Sequence, residues 1–206
     1  MASNTLRTIE TETIREMRYL RKDVGVGIIV ALCLVAGLLL SRSVDTRSIT
    51  FKAPDAPFSI AYPLGWMAGE SLLDQPLLKM EDPTSVSAYK STLTIDMREL
   101  DATAPPTLQT LLDQRVEQRG KLTGYHFLGN KETTVSGEKA MQYDYAFVAQ
   151  PIDQPRSASV PVVVIAREYI VVTKDRAYYV SLTASEADQI RMGSRFDQII
   201  NSVKLS

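Results

Sequence analysis

Between Val24 and Leu40 the chain reads VGVGIIVALCLVAGLLL, a run with no charged and no strongly polar residue. As a helix it spans about 25 Å, the short end of what a bilayer core requires. Ser41 and the aliphatic stems of Lys22 and Arg42 extend that span by snorkelling. A buried core helix is the other reading, but a soluble helix of this length normally shows a polar face. The run is therefore read as one transmembrane helix over 24–41, and the rest of the chain is organised around it.

The anchor reads as uncleaved. A signal peptidase needs small residues at −3 and −1, and Leu38-Leu39-Leu40-Ser41 does not supply them. A lipidation site needs a small residue before its cysteine, whereas Leu32 precedes Cys33, which lies mid-span as a thiol buried in lipid. Gly25, Gly27, Ala31 and Gly37 do not compose one strong GxxxG face. Arg15, Arg18, Arg21 and Lys22 crowd the N-terminal flank, against Arg42 and Arg47 on the other side. The positive-inside rule then puts residues 1–23 in the cytoplasm and the bulk of the chain outside, on a single-pass protein of the cell membrane.

Residues 1–23 carry more than an anchor needs. At 100° per residue Leu6, Ile9, Thr13, Met17, Leu20 and Val24 fall within a stripe about 80° wide. Such a helix can lie on lipid, helped by its arginines. Glu10, Glu12, Glu16 and Asp23 nearly cancel that charge, and a narrow stripe is the form of a helix–helix seam. Leu6, Ile9, Met17 and Leu20 are therefore the candidate interaction residues, with membrane-protein subunits as partners beside the bilayer itself.

All ten prolines lie beyond residue 53, so the chain changes character there. Residues 42–56 read as a tether, and 57–206 as one exported domain with a full core. In it Phe58, Ile60 and Tyr62 alternate up to Pro63, and Leu93, Ile95 and Met97 alternate with Thr92, Thr94 and Asp96. Short strands are expected over 77–81 and from Tyr125. A Ser136-Gly137 turn leads into a strand over 139–149, and a Lys174-Asp175 turn joins strands over 162–173 and 177–183. Thr107 caps a helix bearing Leu108, Leu111, Leu112 and Val116, with Gly120 as its stop. Ser185 starts a second, with Met192, Phe196, Ile199, Ile200 and Val203 on one face, and Gly193 marking a bend or a close approach. The fold class is α+β: a central antiparallel β-sheet flanked by helices, preceded by one transmembrane helix.

Three segments together resemble one family. Phe58-Ser-Ile-Ala-Tyr-Pro-Leu-Gly-Trp66 resembles the opening strand and Tyr-Pro-x-Gly-Trp turn of PsbP-like proteins. Val135-Ser-Gly-Glu-Lys-Ala-Met-Gln-Tyr-Asp-Tyr145 resembles their central hairpin strand, and Phe196-Asp-Gln-Ile-Ile-Asn-Ser-Val-Lys204 their closing helix. The superfamily includes the extrinsic photosystem II protein, Mog-type Ran-binding proteins and bacterial lipoproteins; this chain would be a membrane-anchored bacterial form. The resemblance implies the sheet-and-helix fold and little about function, because one fold hosts many roles. It carries over no ion-binding residue.

No residue set announces a reaction. A net charge of −1 argues against a dedicated nucleic-acid binder, and one cysteine and one histidine exclude cysteine-rich and multi-histidine metal sites. His126 has no second histidine or cysteine to work with, and neither a Gly-x-Ser-x-Gly elbow nor a Gly-rich phosphate loop occurs. Among the carboxylates Glu81, Asp82, Asp96, Glu99, Asp101 and Asp144, the trio Asp96, Glu99 and Asp101 is the best calcium candidate, against a solvated loop. Arg167 and Glu168 interrupt the longest apolar strand and point to opposite faces, so they do not pair with each other; they read as structural or interface groups, at least one half-buried and needing a partner. Trp66 with Tyr143, Tyr145, Tyr169, Tyr178 and Tyr179 lines a ligand groove or packs the core. The leading reading is a non-enzymatic accessory or assembly subunit, without catalytic, cofactor or metal residues. It docks on the exported face of a larger membrane complex, such as a photosynthetic or respiratory one. An extracytoplasmic solute- or metal-binding module, and a hydrolase with an unrecognised site, stand as alternatives.

Overall fold

The computed structural model describes residues 24–39, 47–70, 76–101, 103–150 and 160–205. The chain divides into two units, 1–47 and 48–206. In the first, residues 24–39 form a helix, α1, whose large apolar side chains are exposed, with Cys33 free among them. Among the described residues no helix is long and apolar enough to cross a membrane. The stripe of Leu6, Ile9, Met17 and Leu20 lies outside the described residues, as do 40–46.

The second unit begins with β1 (Ser48–Lys52) and β2 (Phe58–Pro63), which pair antiparallel, Ser48 opposite Pro63. This corrects the tether: part of 42–56 is a strand, with Phe51 packed against the core. β3 (Met67–Ala68), β4 (Leu78–Glu81) and β5 (Thr92–Glu99) follow, then α2 (Leu108–Arg119). β6 (His126–Val135) and β7 (Glu138–Ala149) form a long hairpin. Its turn residues Ser136 and Gly137 both have positive φ, 54° and 87°, the sense that matches the twist of the flanking strands. β8 (Val162–Val172) and β9 (Arg176–Ser185) form a second hairpin. A 3-10 turn at Glu186–Asp188, capped by Ser185, leads into α3 (Gln189–Asn201), and β10 (Lys204–Leu205) closes the chain against β2.

A seven-stranded sheet runs β3-β4-β5-β9-β8-β7-β6, and β1-β2-β10 form a small second sheet. Every pairing is antiparallel. Strand alternation sorts the core onto two faces. On one, Leu93, Ile95, Val180 and Leu182 meet Met192, Phe196 and Ile199 of α3, together with Phe58 and Ile60 of the small sheet. On the other, Met141, Tyr143, Ile170 and Tyr179 meet Leu111 and Leu112 of α2. The expected stripe of α3 is buried on the sheet as its spacing requires. A Cβ on Gly193 would meet nothing within 4 Å, so the close approach expected there is absent.

Candidate functional site

On the α2 face one row of directly opposed residues crosses the sheet: Thr94, Ser181, Glu168 and Tyr143. Glu168 is 0% exposed, in the middle of an otherwise apolar strand. An ionised carboxylate there must be paired and hydrogen-bonded. The partners come from α2, where Thr107 caps the first turn by accepting from Thr110 N–H at 3.1 Å. Residues at i, i+4 and i+8 share a helix face, so the stripe seated on the sheet by Leu111 also carries Arg115 and Arg119.

Arg115 Nε donates to Glu168 Oε1, and its Nη2 donates to Asp96 Oδ2 at 2.5 Å. Its guanidinium also lies over the Tyr179 ring, 4.6 Å from the centroid. Arg119 Nε donates to Glu168 Oε2 at 3.3 Å, and its Nη2 reaches Ser181 Oγ at 3.4 Å. Tyr143 Oη completes the set, donating to Glu168 Oε2 at 2.9 Å, with Tyr145 Oη at 3.5 Å. Burial alone would raise the Glu168 carboxyl; the Arg119 and Arg115 charges and the Arg115 bond outweigh it and hold the group below the usual carboxylate range. Burial first, and the Glu168 charge second, push the Tyr143 and Tyr145 phenols up, so both keep their protons and remain donors.

α2 ends at Arg119, and beside it on the same face opens a cleft of about 360 Å³. Its floor is a patch of hydroxyls from Thr92, Thr94, Ser181 and Thr183, which alternation turns to this face of β5 and β9. Tyr89, Tyr145 and Phe147 form a wall, and Lys79 and Lys90 line it too. Tyr89 Oη and Thr183 Oγ1 are 2.8 Å apart, and the Tyr89 ring meets Phe147 edge-on, centroids 6.2 Å apart. Burial raises the Tyr89 phenol as well. The lining offers donors, acceptors and ring faces to a polar molecule.

The candidates singled out from sequence separate. Glu168 and Arg167 do point apart and find different partners: Arg167 bonds Asp144 at 3.1 Å and Asp197 at 3.4 Å on the opposite face. The calcium trio does not converge. Asp96 is held by Arg115, Glu99 is exposed, and Asp101 accepts from Thr103 N–H and Oγ1 at 2.9 and 2.6 Å. Among the described residues no group of three or more His, Cys, Asp or Glu side chains could hold a metal. Glu81 pairs with Lys79 at 3.1 Å and Asp82 with Arg191 at 3.2 Å. His126 is exposed at the start of β6, opposite Ala146. Trp66 is core, and Tyr178 stacks on Phe58 at 4.8 Å in the same cluster. Of the aromatic set only Tyr145 lines the cleft.

Sequence reading missed Arg115 and Arg119. Their signal was present, as two cations at i, i+4 on the stripe of Leu111, but it acquires meaning only once β8 lies beneath α2.

No family model matches the sequence, and no curated relative matches it. Solved structures are similar in fold. Cyanobacterial PsbP (CyanoP) from Synechocystis sp. PCC 6803 superposes with a TM-score of 0.55 at 11% identity, covering 77% of this chain and 92% of that one. LpqN of Mycobacterium tuberculosis, involved in cell envelope biogenesis, does so with a TM-score of 0.56 at 10% identity, covering 77% of this chain and 90% of that one. At such identities the likeness is one of architecture, and it agrees with the three sequence segments above: this chain has the PsbP-like fold.

Proposed function

We propose that this chain is a membrane-anchored accessory protein that works by binding partners and not by catalysis. The observation that carries this reading is the pairing of the acids at and beside the cleft: Asp96 with Arg115 and Glu81 with Lys79 on its lining, and buried Glu168 with Arg115 and Arg119 under α2. A general acid, general base or nucleophile must exchange a proton or an electron pair during turnover. A carboxylate held between two guanidiniums stays ionised and stays put. What remains free to act is a hydroxyl-lined hollow, suited to recognition.

The apolar run Val24–Leu40 and the basic flank of Arg15, Arg18, Arg21 and Lys22 support an anchor with its N-terminus cytoplasmic and its folded unit outside. The stripe of Leu6, Ile9, Met17 and Leu20 supplies a seam for a helix of a partner membrane subunit. LpqN's involvement in cell envelope biogenesis is a setting of the same kind. The hydroxyl floor of the cleft favours a second reading, a small polar solute as ligand.

The test is purification of the tagged full chain from its own membranes in mild detergent, with identification of what accompanies it. A membrane-protein subunit in constant ratio is expected, and polar substitutions at Leu6, Ile9, Met17 and Leu20 should weaken its recovery without releasing the chain from the membrane. A chain that emerges alone, and binds a polar solute in the cleft, replaces this reading with the second.

A further inference from the structure

We propose that one end of the large sheet rests on the bilayer surface, so that lipid covers the apolar side chains exposed there. The inference rests on the anchored reading above.

Among the described residues of the second unit, the large apolar side chains that stand in solvent gather at a single end. Met67 is opposite Glu81, Glu81 opposite Thr92 and Thr92 opposite Thr183, which fixes that end across four strands. Beyond Thr92, the Val86 N–H donates to Asp188 Oδ1 at 3.3 Å, and Ile190 follows on the first turn of α3. On the far strands Val163 is opposite Val148, and Phe127 opposite Tyr145. Ile190 is 96% exposed, Val86 82% and Val160, just before β8, 78%. The turns at the other end, Ser136-Gly137 and Lys174-Asp175, carry no such residue.

Three observations make lipid the occupant. First, the unit is entered at this end: Ser48, the first residue of β1, is opposite Pro63, and exposed Leu64 follows in the turn. Second, the link from the apolar run to β1 is residues 41–47, which reach about 25 Å even fully extended. A link of that length keeps the end by which the unit is attached within reach of the bilayer. Third, the exposed residues are strung along the sheet from β3 to β6, a width of about 30 Å. A fluid interface accommodates side chains scattered in this way, whereas a protein partner is met by a contiguous patch. The arrangement sets Tyr89 and Lys90, on the same segment as Val86, beside the lipid headgroups.

The experiment uses the full chain with Cys33→Ser, reconstituted into vesicles of phosphatidylcholine with a minority of phosphatidylglycerol. Single cysteines replace Ile190, Val86 or, at the other end, Lys174, and each carries an environment-sensitive fluorophore. Flotation after alkaline carbonate reads the anchor; quenching by nitroxide-bearing lipid reads the rim. The Ile190→Cys and Val86→Cys labels should be quenched several-fold more than the Lys174→Cys label. All three sites are at the surface, so labelling leaves the core intact. Floating vesicles with equal, weak quenching at all three sites overturn the rim assignment alone. So does protection of the Ile190→Cys and Val86→Cys labels from aqueous iodide in native membranes without quenching by lipid, which assigns the rim to a protein. A chain that fails to float overturns the anchored reading and the rim assignment with it.

Discussion

Tyr143 donates its phenolic hydrogen to Glu168 Oε2 at 2.9 Å from the position directly opposite on the neighbouring strand. The sheet register therefore sets this bond, while α2 supplies the two guanidiniums from above. A buried carboxylate contacted from two elements ties those elements together, and removing one partner leaves the others without compensation.

Glu168→Gln should accordingly strand Arg115 and Arg119 against the sheet and lower unfolding stability by about 3–5 kcal/mol. Tyr143→Phe keeps the ring stack on Tyr145, 5.4 Å between centroids, and loses only the hydroxyl bond, about 1.5–3 kcal/mol. The double variant should cost less than the sum, because the second change removes a bond the first has already weakened. Urea denaturation of the four proteins measures all three numbers. A Glu168→Gln protein within about 1 kcal/mol of the parent would show that α2 is held by its leucines alone.

The same carboxylate sets a pH dependence whose sign follows from its direction. Glu168 titrates below its ordinary range in the folded chain, and so does Asp188, where burial is outweighed by bonds from Ser185 and Arg191. Unfolded, such groups titrate near about 4.3 and 3.9. Each adds stability that is complete above the unfolded value and is lost as pH falls through the lower, folded value. The urea midpoint should hold from about pH 7 to about pH 5 and fall steeply below about pH 4. In Glu168→Gln the fall should be shallower over that window, and an unchanged slope would remove Glu168 from the account.

Two glycines should respond in opposite senses. Gly193 lies inside α3 with open space where a Cβ would stand, so Gly193→Ala should stabilise by up to about 1 kcal/mol. Gly137 also has open space, but its φ of 87° is one that alanine adopts poorly, so Gly137→Ala should destabilise by about 1–2 kcal/mol. Thermal melts of the pair separate backbone conformation from packing.

Much of the architecture was legible because it is written locally. Alternation in 92–97 and 139–149, the Ser136-Gly137 turn and the caps at Thr107 and Ser185 each depend on neighbours in sequence, and each forms as read, the first strand running on to Glu99. β1, β3 and β10 were missed because they are short and exist only through partners, with Met67–Ala68 and Lys204–Leu205 too brief to show a period. The site was legible by halves. Arg167 and Glu168 stood out as charges in an apolar strand, so the need of at least one for a partner could be stated, but that it is Glu168, and that its partners are Arg115 and Arg119, depends on how α2 crosses the sheet. The carboxylates near Asp96 looked like a cluster because they are close in sequence, whereas strand alternation and a turn send them apart.

The limits of the folded unit supply the last test. The proline boundary suggested a domain over 57–206, yet β1 starts at Ser48 and covers the outer edge of β2, pairing from Ser48–Pro63 to Lys52–Ser59. β2 carries Phe58 and Ile60 into the main core, Phe51 of β1 packs against the same cluster, and Ala53, just past the strand, belongs to it. Removing β1 therefore bares a strand edge that invites pairing with another chain, and exposes apolar surface beneath. A fragment of residues 48–206 should unfold cooperatively in urea, while 57–206 should be less stable by about 1–3 kcal/mol, the worth of one partly buried aromatic and its neighbours. The shorter fragment should also self-associate with rising concentration, as light scattering would register. Equal midpoints and two monomeric fragments would mean that β1 merely lies along β2, and that the tether extends to Ala56 as composition suggests.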